Sequence, residues 1–170
     1  SNQAWLTGYD GWSFYVHQGV IVLPDAEPIW WGRNQDTNGA LRTVWMTADS
    51  VRGYADGFVQ ATDKHPMQDL AVHLAAAGVE AGRIGVEMDN YYYSAKAHAA
   101  LVASLPKAQL VDATALVNWK RAVKSEPELA FMRKAALISE KIVDGLLERV
   151  EPGVPKNEIG AEIYRDAIRG

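Results

Sequence analysis

The chain has 170 residues, with 17 Lys+Arg against 21 Asp+Glu (net charge −4), 48% hydrophobic residues, 22% charged residues and no cysteine. That length allows one domain with a substantial core, or one domain and a piece of a second. The missing cysteines exclude a disulfide scaffold, a Cys-ligated zinc or iron–sulfur site and a thiol nucleophile, and a pI near 5.5 offers no general attraction to nucleic-acid phosphate or anionic membrane.

From Ala4 to Tyr54 the apolar residues fall in short blocks, among them Ala4-Trp5-Leu6-Thr7, Gly19-Val20-Ile21-Val22-Leu23 and Pro28-Ile29-Trp30-Trp31. Gly8-Tyr9-Asp10-Gly11 and Pro24-Asp25-Ala26-Glu27-Pro28 punctuate them as turns do, so the opening reads as a β-meander. After Asp63 the period changes. His65-Pro66-Met67 starts a helix with Leu70, Leu74 and Ala77 at helical spacing, stopping at Gly78. A strand over 83–88, a helix over 94–105, a short strand over 109–111 and a helix over 113–123 follow, the alternation of βα units with a partly parallel sheet.

Ser125-Glu126-Pro127-Glu128 combines a serine cap, a proline at helix entry and acids facing the positive helix end. Leu129, Met132, Ala136, Val143, Leu146 and Val150 then form one apolar stripe, the mark of a long helix laid against a body. Glu151-Pro152-Gly153-Val154-Pro155 ends it. A last amphipathic helix carries Ile159, Ile163, Tyr164 and Ala167 on one side and runs to Gly170, so the end of the chain reads as the opening of a second domain.

No apolar run approaches the roughly 18 residues that span a bilayer, and Ser1-Asn2-Gln3-Ala4 lacks the basic start and apolar core of a signal peptide. The expectation is a cytoplasmic protein with no nucleic-acid or membrane partner.

The chemistry-bearing residues do not make a self-contained catalyst. Gly78, Gly82 and Gly85 precede their strand, whereas a dinucleotide-binding loop follows one, and there is no P-loop. Ser13 and His17 on a strand would stand about 13 Å apart, too far for a nucleophile and its base. The four histidines, His17, His65, His73 and His98, show no metal-ligand spacing, and His73 and His98 read as helix-surface residues. Glu87 and Asp89 close the 83–88 strand, at the sheet edge where ligands collect. The favoured alternative makes Asp89 a cap for the next helix, with Tyr91, Tyr92 and Tyr93 packed around its entry.

The densest unusual segment is Trp12-Ser13-Phe14-Tyr15-Val16-His17, joined by Trp30-Trp31-Gly32-Arg33, Asp36 and Arg42. Read as a strand, it places Trp12, Phe14 and Val16 on one face and Ser13, Tyr15 and His17 on the other. Rings with an imidazole and guanidinium groups suit a small polar or cationic ligand or a protein interface; packing into a core is the equal alternative.

Five segments taken in order, Asn2-Gln3-Ala4-Trp5-Leu6-Thr7-Gly8-Tyr9, Arg83-Ile84-Gly85-Val86-Glu87, Leu110-Val111-Asp112-Ala113, Arg121-Ala122-Val123-Lys124-Ser125-Glu126-Pro127-Glu128-Leu129 and Met132-Arg133-Lys134-Ala135-Ala136, resemble the creatinase/prolidase/aminopeptidase P family. The 121–129 run is the most specific of them. The resemblance implies an α/β fold, a mixed β-sheet flanked by helices over 1–122 that lacks the family's opening helix and strand. The first helices of a truncated "pita-bread" catalytic domain would follow over 123–170. Within the family, residues 5–18 with 32–36 and 118–125 are most similar to the ectoine-hydrolysing members, which open a C–N bond of a cyclic amidine.

The same resemblance puts the catalytic histidine and acidic residues beyond Gly170. It therefore assigns no catalytic residue, metal ligand or cofactor to this chain, and a divalent metal would belong to the remainder of the protein. It implies a homodimer, in which an aromatic loop of this domain reaches the partner subunit's active site and its small-molecule substrate. By position Phe14 matches the aromatic residue of that loop, and Val16 stands where creatinase has an arginine for the substrate carboxylate, which argues against creatine. The candidate substrate or dimer-interface residues are Trp12, Phe14, Tyr15, His17, Arg33, Asp36 and Arg42. The expectation is a catalytically silent N-terminal piece of a C–N hydrolase. The alternatives are the same domain of an Xaa-Pro dipeptidase or aminopeptidase, and a non-catalytic dimerisation or binding module.

Overall fold

In the computed structural model, which describes residues 1–13 and 15–170, the chain divides into two units, Ser1–Lys120 and Arg121–Gly170. The first is organised by the Ile-Trp-Trp-Gly-Arg block. β1 (Gly19–Ile21) and β2 (Ile29–Arg33) form an antiparallel hairpin, with Gly19 opposite Trp31 and Ile21 opposite Ile29. β3 (Val51–Tyr54) joins the other side of β2 in parallel, with Trp30 opposite Val51 and Arg33 opposite Tyr54.

The hairpin agrees with a β-meander but the remainder of the opening does not. The first apolar block is a helix, α1 (Asn2–Thr7), capped by the Ser1 hydroxyl on Ala4 N and closed by Gly8 in the left-handed conformation (φ 79°). A four-residue apolar block fits one turn of helix as well as a short strand, so its period could not choose. Between β2 and β3 the chain makes a crossover containing α2 (Thr37–Thr43) rather than a hairpin, and this is why the two strands run parallel.

Strand alternation sends Trp30 and Trp31 to opposite faces of this sheet, and both are essentially fully buried. Trp30 meets Tyr9, with ring centroids 5.0 Å apart, in a cluster with Ala40 and Met46. Trp31 meets Tyr54 at 4.8 Å in the larger core, which takes Met67, Ala71 and Leu74 from α3 (Pro66–Ala76) and Ala97 and Leu101 from α4 (Ala95–Ser104). Truncating a buried ring of this kind costs about 3–5 kcal/mol. Gly32 and Gly53 pair on the Trp30 face. A Cβ on Gly53 would fall 2.7 Å from Thr37 Cγ2 and 2.8 Å from Asn34 Oδ1, so its bare backbone lets the start of α2 lie against the sheet.

α3 and α4 match the helical periods, and β4 (Arg83–Val86) and β5 (Gln109–Asp112) pair in parallel across α4. α5 (Leu116–Ala122) follows. α4 is capped by the Ser94 hydroxyl on Ala97 N and not by Asp89, whose N–H donates instead to Thr114 Oγ1 at 3.1 Å. In the hairpin loop one Glu27 carboxylate oxygen, Oε2, accepts from Thr47 N, Thr47 Oγ1 and Ser50 Oγ at 2.9–3.1 Å, tying the β1–β2 turn to the entry of β3.

In the second unit α6 (Glu126–Arg149) starts at the sequence-predicted cap, with the Ser125 N–H donating to Glu128 at 2.7 Å. It packs on α7 (Lys156–Arg169) at Gly145, where a Cβ would lie 2.8 Å from Asp166 Oδ2. Arg149 reaches across to Glu162 at 3.1 Å and to Asp166 at 3.4 Å. Met132, Val143 and Val150 of the apolar stripe remain more than half exposed.

Two outcomes test this packing. Gly53→Ala should destabilise the protein by about 1–3 kcal/mol in urea unfolding through overpacking, whereas Gly39→Ala, where an added Cβ meets nothing within 4 Å inside α2, should be neutral or stabilising. The hydrogen bonds to Glu27, that from Thr47 N first, hold its pKa below 4.5, so its contribution is present above that value and disappears as pH falls through the native pKa. The gap in urea midpoint between wild type and Glu27→Gln should therefore be wide at about pH 7 and close at about pH 3.

Candidate functional site

β2 and β3 end together at Arg33 and Tyr54, and the segment leading into β1 lies against this carboxyl edge. Segment 11–18 is irregular rather than a strand among its described residues, so the expected two faces do not exist. Trp12 is 80% exposed while Val16 is 7% exposed, although alternation would have put them together. The Ser13 hydroxyl donates to the Val16 carbonyl at 2.7 Å, which satisfies that carbonyl without a neighbouring strand. Phe14 lies outside the described residues.

His17 is fastened at both its backbone and its ring. Its carbonyl accepts from the Tyr54 hydroxyl at 2.8 Å, its ring donates to the Tyr92 carbonyl, and its ring centroid lies 4.8 Å from that of His65 at the start of α3. Burial pushes the His17 pKa below its ordinary value, and the bond to Tyr92 partly offsets this. Burial and then the Asp36 carboxylate push the Tyr54 phenol far above its ordinary value, so it is a neutral donor at any physiological pH. The hydroxyl therefore works as a fixed strut.

Arg33 Nε bonds Asp56 Oδ1 at 2.6 Å, and the guanidinium also meets the Tyr15 hydroxyl; together they raise its pKa, the Asp56 bond contributing most. Asp36, in the turn after β2, lies close enough to raise both Tyr9 and Tyr54, in each case after burial. Arg42 sits exposed in the last turn of α2, six residues and roughly 9 Å along the helix from Asp36. The structure thus gathers Tyr15, His17, Arg33 and Asp36 at one sheet edge, and leaves Arg42 down the crossover helix.

Behind this edge, Trp31 Nε1 donates to Asp69 Oδ1 at 2.8 Å, and His73 Nε2 approaches the same oxygen at 3.3 Å. At the end of β4, Glu87 accepts from Asn2 Nδ2 at 2.8 Å, which engages one of the two carboxylates read there. Tyr93 packs on the core and its hydroxyl meets His98 Nδ1 at 3.1 Å, while Tyr91 is fully exposed. Sequence reasoning did not single out Tyr54, Asp56 or Asp69, and read His65 only as a helix start. The one signal available was His65 directly before a proline and three residues before Gln68, the spacing of a capping box.

Chemically, this edge offers exposed rings, a neutral imidazole and a braced guanidinium. Among the described residues there is no cluster of three His, Asp or Glu side chains able to hold a metal, and no helix long and apolar enough to cross a membrane.

Residues 1–123 match the family model of the Creatinase/Prolidase N-terminal domain. The chain belongs to that family. The whole chain is 52% identical to ectoine hydrolase of Halomonas elongata, of which it covers 43%, and 39% identical to an uncharacterised hydrolase/peptidase, y4tM, of Sinorhizobium fredii, of which it covers 44%. Its fold is shared with an Xaa-Pro dipeptidase from Bacillus anthracis (TM-score 0.71, 14% identity, 99% of this chain and 42% of that one) and an X-Pro aminopeptidase from Thermotoga maritima (0.69, 15%, 98% and 42%). The creatinase/prolidase chain described here thus spans less than half the length of the relatives it matches.

Tyr54→Phe removes the strut while leaving the ring in the core. The expected cost is about 1 kcal/mol in urea unfolding, with faster amide exchange over residues 15–18; unchanged exchange there would show that other contacts hold the segment.

Proposed function

We propose that this chain is the N-terminal part of an ectoine hydrolase-like enzyme that hydrolyses a C–N bond of a small compound, and that it serves that enzyme as scaffold, dimerisation domain and completion of the substrate site. The observation that carries this reading is the 52% identity to ectoine hydrolase along the entire chain. The likeness to Xaa-Pro peptidases is one of fold, at 14–15% identity.

The division of labour follows from the residues. Hydrolysis of a C–N bond needs an activated water and stabilisation of a developing oxyanion. In this reading both are supplied by the remainder of the polypeptide, along with any divalent metal. What this chain contributes is the edge that gathers Tyr15, His17, Arg33 and Asp36; Trp12 and Phe14 are assigned to the same role by the family resemblance alone. In a cytoplasmic homodimer that edge faces the partner's substrate. The exposed apolar residues Met132, Val143 and Val150 support 123–170 as the opening of a catalytic domain, because a stripe of this kind is stable when further polypeptide covers it.

The test is turnover by the full-length protein offered ectoine, creatine and an Xaa-Pro dipeptide in parallel, with the 170-residue chain alone as control. The expected result is hydrolysis of ectoine by the full-length protein and none by the control. Preferential cleavage of the dipeptide would replace the ectoine reading with a peptidase, and turnover by the short chain would end the scaffold reading.

A further inference from the structure

His65 occupies the N-cap of α3, a position where Ser, Thr, Asp and Asn are the ordinary choices. Its ring performs the capping. Nδ1 accepts from Met67 N at 3.2 Å, while Gln68 Oε1 accepts from the His65 N–H at 3.2 Å. A ring nitrogen that accepts carries no proton, so the neutral imidazole holds its hydrogen on Nε2.

Each neighbouring element opposes a second proton. On Nδ1 it would turn the acceptor into a donor aimed at an N–H, and it would place positive charge at the positive end of an eleven-residue helix. From the segment before β1, His17 lies 4.8 Å away with its ring tilted by 47°, and from α4 Lys96 adds a like charge. On α3 itself Asp69 is the near carboxylate, and it is engaged by Trp31 and His73. Burial first, then His17 and Lys96, hold the His65 pKa below 6.5.

We propose that His65 is a positioning residue for the His17 segment: its neutral ring both caps α3 and seats His17, so protonation uncaps the helix and loosens that segment on the acid side. The ring that receives the proton is the one in contact with His17, and one event therefore disturbs both elements. Besides that ring contact the segment is held by the Tyr54 hydroxyl on the His17 carbonyl, the Tyr92 carbonyl on its ring, the Arg33 guanidinium on the Tyr15 hydroxyl and the Gln18 amide on Gln3 Oε1 at 3.1 Å. This inference goes beyond the proposed activity and holds whichever substrate the whole protein takes.

The sign follows from linkage. With the native pKa below the unfolded value of about 6.5, the unfolded chain binds the proton first as pH falls. Stability declines below that pH and levels off once the native ring is protonated too.

Hydrogen exchange of the full-length protein, read by mass spectrometry at backbone amides 67–70 and at imidazole C2–H groups, tests this. The expected result is that His65 titrates below 6.5 and that amides 67–70 lose protection along the same curve. His65→Asn, whose amide caps without titrating, should keep that protection at about pH 5, whereas His65→Ala should lose it about fivefold at every pH, the size of a lost cap. A His65→Asn protein that follows the wild-type acid loss, or a wild-type His65 titrating at or above 6.5, would overturn the proposal. The wild-type titration decides the matter by itself if either variant fails to fold.

Discussion

Two adjacent indoles on one strand, buried on opposite faces, set the rest of the first unit. Trp30 and Trp31 cannot both be buried unless the sheet is covered on both sides, and a slip of one residue in the pairing would exchange their environments. Covering the Trp30 face takes Tyr9, Ala40 and Met46, which brings α2 and the chain after α1 to that side. Covering the Trp31 face takes α3 and α4. The register of a five-residue strand therefore fixes the placement of helices distant from it in sequence.

The same constraint builds the candidate site. Tyr54 stacks on Trp31, and its buried phenol can only be neutral, so its hydroxyl is a dependable donor to the His17 carbonyl. Trp31 donates to Asp69 in the first turn of α3, whose cap is His65, and His65 lies against the His17 ring. An irregular segment with an exposed Trp12 is in this way fastened at His17 by a carbonyl bond, a ring bond and a ring contact. The polar groups at the edge are uneven in character. Arg33 and Asp56 form a solvent-facing pair, which contributes mainly geometry. The interactions around His17 lie where water is partly excluded and have correspondingly greater influence.

The relation to longer hydrolases gives this arrangement its meaning. The chain matches less than half the length of each of these relatives, and among its described residues no three His, Asp or Glu side chains gather to hold a metal. The Arg149–Glu162–Asp166 network and the bare Gly145 show that α6 and α7 form a packed helix pair, while the apolar residues left open along α6 leave it a further face to bury.

From α3 onward the elements were legible in the sequence, because their signals are local: Pro66 at a helix start, Gly78 in a left-handed stop, and Ser125 with Glu128 as a reciprocal cap, although the cap of α4 is Ser94 and not Asp89. The opening was read less well because its blocks are too short to show a period, so α1 passed for a strand and the β2–β3 crossover for a hairpin. Residues 11–18 failed for a different reason: alternating ring residues imitate a strand, but the described residues of this segment join no sheet, and the Ser13 hydroxyl bonds the Val16 carbonyl instead. What the sequence by itself determined was the Ser125 cap of α6, the helix periods from α3 onward and the family, all written in neighbouring residues. Only the tertiary structure decided that Tyr54, His17 and His65 meet, because those contacts span 37 and 48 positions (54 − 17 and 65 − 17) and depend on how two faces of one sheet are covered.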